Sequence, residues 1–400
     1  MPTTQGKSSF SRFHRTHVAQ ALAQDHGRVA APHVPGSIVF ACADTGEAFT
    51  YRVEAEDVRI DPGDDGQSTR IEFQPGAWDL YQKELRTTVG LLYDEGVDAT
   101  RGNILEFILW EPAFRALQHG RPVYTPEASR VLGHDGQPMD PVRPFRTDDA
   151  TDEMASALRR VGFLRIEGFL DDTELDALRT ITSELQQDAR SGDGRSWWAK
   201  TTGGESVCCR VIYAGEKSDS LERLWKDERI RRLASLAPGT LKEADDRMEG
   251  VTILYKHPDI AEGLSDIPWH TDCGLGGHSV LCPMVLVGLH LYDGTPEAGE
   301  VRAVPGSWGR TCSLPFMHDE ASVGLGIRAG DATVHFGDVL HASMAPTESA
   351  GPFRTTIYLL YLSPAAFELL APGQSYNDIV FAGTGGKVEA LHQRLGVDLG

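Results

Sequence analysis

Two stretches of this sequence hold residue types that together can bind a metal ion. Ile267-Pro268-Trp269-His270-Thr271-Asp272 places an imidazole and a carboxylate two positions apart. On a strand, positions i and i+2 share a face, so His270 and Asp272 are expected to reach one ion from one side. Far downstream, Gly337-Asp338-Val339-Leu340-His341 supplies a second imidazole. On a neighbouring strand it would complete two histidines and one carboxylate. That set suits non-haem Fe(II), because it fills one face of an octahedron and leaves three positions open. Structural zinc more often takes four protein ligands, and catalytic zinc three with a water. Thirteen residues beyond His341, Arg354 opens the apolar run GPFRTTIYLLYLSP. Its planar fork matches a carboxylate bidentately, so Arg354 reads as a clamp for the distal carboxylate of a dicarboxylic acid. Ser343, at i+2 from His341, would face the same side and donate to that carboxylate. The alternative for Arg354 is an exposed position or an ordinary ion pair.

The elements that must position these groups are mostly strands. From Gly250 onward the runs VTILYKH, HSVLCPMVLVGLHLYD, EVRAVPGS, ATVHF and RTTIYLLYL alternate with Gly, Pro and Asp turns, the pattern of a sandwich or double-sheet barrel. Before them, residues 149–185 read as a helix (Met154–Val161), a strand (Phe163–Ile166) and a second helix capped by Asp171 or Asp172 with Glu174 in support. Residues 126–149, rich in proline and turn residues, read as a linker. Residues 1–125 form a separate pattern. Four short strands (Ile38–Cys42, Ala48–Val53, Val58–Asp61, Thr69–Phe73) precede two helices, one with Trp78, Tyr81, Leu85 and Val89 at helical spacing, the other containing Pro112, which is expected to end or kink it. Strands followed by helices make a small α+β domain.

Taken together, H-T-D at 270–272, G-D-V-L-H-A-S at 337–343 and Arg354 resemble the phytanoyl-CoA dioxygenase family of Fe(II)/2-oxoglutarate-dependent oxygenases. GFLRIEGFLDDTELDALR (162–179) resembles the segment that opens that family's domain. AVPGSW (303–308) resembles its P-G-S-H stretch, with Trp308 in place of the histidine. Pro346 stands where the family often has asparagine, and the spacing from His341 to Arg354 is slightly longer than usual. The resemblance spans about residues 150–365. It implies an α+β chain whose residues 150–400 form a double-stranded β-helix, or jelly roll, with flanking helices. His270, Asp272 and His341 would hold Fe(II), and Arg354 and Ser343 would hold 2-oxoglutarate. Tyr255 and Lys256 are the candidates for a further polar contact from an upstream strand. It further implies decarboxylation of 2-oxoglutarate to succinate by O₂, coupled to hydroxylation or another oxidation of the substrate, with ascorbate as a candidate stimulant. Asp272 argues against halogenation, because halogenating relatives carry a small residue there. Separately, the element order over Val18–Tyr124 resembles sterol-carrier-protein-like domains, which implies an apolar tunnel and a small, mostly apolar or amphipathic substrate.

Composition bounds the partners. With 38 basic and 58 acidic residues the net charge is −20, so nucleic acid and anionic membrane surfaces are disfavoured. No apolar run is long enough to span a bilayer, the N-terminus lacks a signal-peptide core, and the six cysteines show no C-x-x-C pair, so a cytoplasmic protein with free thiols is expected. A homodimer is an open option. Trp197-Trp198 lies in a glycine-rich stretch that reads either as a lid or as a surface loop. Arg210 and Tyr213 are weaker pocket candidates. His335 is in phase with His341 but is by default a core histidine, as are His257, His278 and His290. Arg302 is expected to pair with Glu300. Two other functions remain at this stage: a non-catalytic lipid-binding carrier on a degenerate oxygenase fold, and a cupin-type metalloenzyme that uses no 2-oxoglutarate.

Overall fold

The computed structural model describes residues 9–84, 86–93, 95–243, 250–262, 265–272, 284–311 and 321–362. Leu85, Cys273, His278, Cys282 and Cys312 lie outside the described residues. The chain divides into two compact units, one of residues 9–125 with 309–311, the other of the remaining described residues.

The first unit is built on β1 (Ile38–Cys42), β2 (Ala48–Glu54), β3 (Asp57–Pro62), β4 (Thr69–Phe73) and β5 (Val97–Arg101). They lie in the order β3-β2-β1-β4-β5, with β1 and β4 parallel. The sequence signalled only the first four. In β5 only Val97 is buried, so its apolar signal is weak and its pairing with β4 makes it a strand.

The expected first helix is two helices, Ala77–Gln82 and Thr88–Tyr93. The buried guanidinium of Arg115 donates to the Tyr81 and Arg86 carbonyls at the break, replacing helical partners. The second helix, Ile104–His119, runs straight past Pro112. Asn103 caps its start, Gly120 ends it at a positive φ of 68°, and Phe107, Trp110, Phe114 and Leu117 are buried. That packing outweighs the one hydrogen bond proline removes. Aromatic rings occupy the interior, with Phe73 against Trp78 at 4.9 Å and Tyr81 stacked on Phe114 at 5.0 Å. Where the sterol-carrier resemblance implied an apolar tunnel, the described core is packed ring on ring.

The second unit carries β6 (Pro144–Phe145), β7 (Phe163–Ile166), β8 (Ser196–Thr201), β9 (Ser206–Val211), β10 (Lys242–Glu243), β11 (Val251–Tyr255) and β12 (Ile260–Glu262). The remaining strands are β13 (Ile267–His270), β14 (Met284–His290), β15 (Val301–Ala303), β16 (Val323–Gly324), β17 (Ala332–Phe336), β18 (His341–Ser343) and β19 (Thr355–Leu362). The larger sheet runs β12-β8-β9-β11-β19-β14-β17-β7-β6, with β10 also on β19; the smaller runs β13-β18-β15-β16. This is a jelly-roll core whose sheets do not close into a barrel, and with the helices it makes the chain α+β.

Every residue of β14, β17 and β19 is buried, because these strands are covered on both faces. Val285, Val287, Ile357 and Leu359 belong to one core with Met154, Leu175 and Leu178 of the helices Thr151–Val161 and Asp172–Asp188. The alternate positions face the smaller sheet. Asp171 starts the second of these helices through a full capping box with Glu174.

Two expectations are corrected. Residues 126–149 are not a free linker: they include β6 and bury Val131 and Phe145 in the second unit's core. Trp197-Trp198 is neither a lid nor a loop. It lies in the β8–β9 hairpin of the larger sheet, with Trp197 buried, because the glycines 203–204 form the hairpin turn between two pairing strands.

Candidate metal centre

His270 and His341 are direct cross-strand partners where β13 meets β18. That pairing brings their rings to 4.2 Å between centroids. Asp272 is not on the strand, as the i+2 argument assumed. β13 ends at His270 after a register shift, and Asp272 reaches back from the turn that follows. Its Oδ1 lies 3.6 Å from His270 Nε2 and 3.8 Å from His341 Nε2. One ligand atom from each of the three residues lies within 4.8 Å of the others. A first-row ion binds imidazole nitrogen at about 2.1 Å, so the three donors would draw together on taking up one ion. Two imidazoles and one carboxylate on one side fit Fe(II) with open positions opposite.

The supports of these groups are visible. His341 Nδ1 is 2.9 Å from the Val339 carbonyl. Donation there leaves Nε2 as the acceptor, the form a metal needs. Leu340 N–H, one residue earlier, donates to Ser307 Oγ at 2.9 Å. The PGS turn thus sets the start of β18, and Trp308 beside it stacks on Phe336 at 4.3 Å.

Burial pushes His341 down to about 3, with His270 adding to the effect and Asp272 opposing it. Burial alone would raise the Asp272 carboxyl, but His341, His270 and His335 outweigh it and hold it well below the usual carboxylate range. His335, the residue read as an ordinary core histidine, sits with Nε2 3.2 Å from Asp272 Oδ2. It orients the carboxylate from its far oxygen.

Arg354 is 1% exposed. It donates to Gly299 O at 2.8 Å, to Thr356 Oγ1 at 2.7 Å and to Ser343 Oγ. All three are neutral, and among the described residues no carboxylate pairs with it. Burial lowers its pKa, which Tyr358 opposes, but a guanidinium keeps its charge. A buried cation without a counter-ion is costly, so an anion beside this guanidinium would be stabilised. Thr356 Oγ1 is also 3.2 Å from His290 Nδ1, and His290 Nε2 is 2.9 Å from Thr333 Oγ1.

A small pocket lies between the two sheets. His341 and His335 line one part of it, and His290, Thr333 and Tyr358 join them on the polar side. The remaining walls include Val301, Leu325 and Ile327. His290 and Tyr358 were missed. The available signal was a polar residue at every second position of otherwise apolar strands, Thr333 and His335 in one, Thr356 and Tyr358 in another.

The structure does not bring the other candidates to this cavity. Tyr255 sits on the helix-facing side of β11 and donates to Thr182 O at 2.7 Å, so it is a packing residue. Lys256 Nζ donates to Ser265 O and Ser343 O, both at 2.8 Å, and to Asp266 Oδ1 at 3.0 Å. Its hydrogens are directed at these protein oxygens and not at a co-substrate. Arg210, not among the lining residues, lies over the Trp197 ring at 4.2 Å and near enough to Tyr358 to act on its charge. Arg302 pairs with Glu300 at 3.0 Å as expected. Cys42, Cys208 and Cys209 are buried free thiols, and no described helix is long and apolar enough to cross a membrane.

Burial pushes the Lys256 ammonium down to about 7; Asp266 opposes this and Arg354 adds to it. An unfolded lysine titrates near 10.5. Between these values the unfolded chain holds a proton that the folded one has lost, so stability rises with pH. The expected slope from this residue is up to about 1.4 kcal/mol per pH unit. Urea denaturation at pH 7 and pH 9 measures it. Lys256→Met should flatten the rise, and equal slopes in both proteins would contradict the lowered value.

Among solved structures, the chain is similar to AviO1 from Streptomyces viridochromogenes Tue57, at 24% identity over 54% of this chain and 96% of that one (TM-score 0.42). The carbocyclase SnoK from nogalamycin biosynthesis, described as non-heme and alpha ketoglutarate dependent, matches at 21% identity over 58% and 96% (TM-score 0.43). EctD from S. alaskensis, with 2-oxoglutarate and 5-hydroxyectoine, matches at 20% identity over 57% and 82% (TM-score 0.44). No curated protein matches the chain. Residues 158–354 match the family model for phytanoyl-CoA dioxygenase (PhyH). That stretch contains His270, Asp272 and His341 and ends on Arg354, and it is this part of the chain that matches the phytanoyl-CoA dioxygenase-like family of Fe(II)- and 2-oxoglutarate-dependent oxygenases.

Proposed function

We propose that this chain oxidises a C–H bond of a small, mostly apolar molecule, with hydroxylation as the outcome and succinate and CO₂ as the co-products of 2-oxoglutarate. The observation that carries this reading is the pairing of two features in one unit. A His270–Asp272–His341 cluster opens on an inter-sheet cavity, and a fully buried Arg354 lacks a carboxylate partner among the described residues. The second feature favours 2-oxoglutarate over a metal site that needs no acid co-substrate.

The bound iron supplies activation of O₂. The chain's own residues do the rest. His341, fixed through Val339, and Asp272, fixed through His335, present their donor atoms with little freedom. Arg354 and Ser343 hold the far carboxylate of 2-oxoglutarate, so its other end is oriented toward the histidine cluster. Val301, Leu325 and Ile327 keep water from that cavity wall, which protects a reactive site from unproductive discharge. The same apolar wall supports a substrate of low polarity.

The test is turnover. Purified protein with Fe(II) and O₂ should convert 2-oxoglutarate to succinate, and faster with a substrate drawn from small apolar alcohols, acids and lactones. Mass addition of one oxygen to that substrate marks hydroxylation; loss of two hydrogens or an unchanged mass marks another outcome on the same site. No succinate under any condition would sink the reading.

A further inference from the structure

We propose that Lys256 is a positioning residue that fixes the span between the metal centre and Arg354, and so makes the two ends of 2-oxoglutarate bind as one event. This rests on the function proposed above and deepens it.

Lys256 follows β11 directly. Its backbone N–H donates to Arg354 O at 3.1 Å. Its side chain then reaches the strands that carry the histidines. Nζ donates to Ser265 O and Asp266 Oδ1, immediately before β13 and His270, and to Ser343 O on β18, two residues after His341. Ser343 is bonded twice in this arrangement, its carbonyl to Lys256 and its hydroxyl to Arg354. Gly299 closes the figure. Its carbonyl accepts from Arg354 Nε, and a Cβ built on it would lie 3.2 Å from Lys256 Cγ. The lysine stem therefore packs against the same residue that holds the arginine. Lys256 is 5% exposed, so these bonds are made out of water, where they hold geometry most firmly.

The consequence follows from how a two-ended ligand binds. Once one end is held, the second meets its partner at an effective concentration set by how well the span is fixed. A loose span leaves each anchor working alone. Loss of Lys256 should then weaken a ligand that uses both anchors and spare a ligand that uses only the metal.

The experiment uses the full chain loaded with Mn(II), under argon, with binding read by calorimetry. 2-Oxoglutarate is the two-anchor probe and oxalate the metal-only probe. Lys256→Met is expected to weaken 2-oxoglutarate by about tenfold or more, as for other residues that orient ligands, while oxalate changes by less than about threefold. Asp266→Asn, which keeps the lysine but removes its counter-ion, should show the same selectivity more weakly and guards against a Lys256→Met protein that does not fold. Equal losses for both probes, or no loss for either, would overturn the inference. The Arg354→Ala protein separates the two readings: if it too binds 2-oxoglutarate like the parent, the function itself is wrong, whereas a loss there without selectivity at Lys256 removes only the coupling.

Discussion

Arg354→Ala should weaken 2-oxoglutarate by at least about 30-fold, since truncating one partner of a buried, hydrogen-bonded charge pair costs about 2–5 kcal/mol. The expectation follows from what the arginine lacks. It is 1% exposed and bonded to a carbonyl and two hydroxyls, and among the described residues no carboxylate offsets its charge. In the parent, 2-oxoglutarate should therefore raise the thermal midpoint, by the linkage of ligand binding to folding. That increment should vanish in the variant while the fold persists. Arg354→Lys keeps the charge but loses the planar fork and should fall between the two. Calorimetry on the Mn(II) form and thermal shift with and without 2-oxoglutarate measure both effects. If the variant bound 2-oxoglutarate as tightly as the parent, the cupin-type metalloenzyme would become the better reading.

His270→Ala and Asp272→Ala carry the second large effect. Each removes one of three donors, and neighbouring residues cannot replace it. His335 is the nearest spare imidazole, but it already contacts the far oxygen of Asp272. Metal affinity should drop by more than the about 10–100-fold typical of residues that only orient ligands, and succinate formation should reach background. The two variants differ in a useful way. His270→Ala leaves Asp272 facing His335 and His341. Asp272→Ala takes away the one anionic donor and should be restored least by excess metal. Titration with Fe(II) or Mn(II), followed by succinate release, distinguishes them. Full turnover in His270→Ala would refute the metal centre itself.

Much of this was legible from residue types and spacing. The H-x-D pair, the distal histidine and the arginine beyond it are all short-range patterns, and β-branched runs between turns announced the strands that carry them. What spacing could not show was how Asp272 arrives. It comes from a turn past the strand end and not from the strand face, because the register shift in β13 is a property of its pairing with β18. Pro112 shows the same limit in the other unit. Local rules end a helix there, but buried neighbours along Ile104–His119 hold it together.

The role of Lys256 was also misplaced from sequence. A lysine on a strand upstream of the ligands reads as a charge for a co-substrate, and only the fold shows three protein oxygens already on its ammonium. His335 was the reverse case, a histidine in phase with His341 but read by default as core, which sits beside Asp272.

By itself the sequence pointed to the candidate ligand types and to the family resemblance, since these depend on residue chemistry and local period. The tertiary structure alone decided which of the remaining polar residues meet the site. Several of those contacts join distant positions, Arg354 with Ser343 across 11 residues and Lys256 with Ser343 across 87. Pairing and packing between strands set them, and no local pattern encodes that.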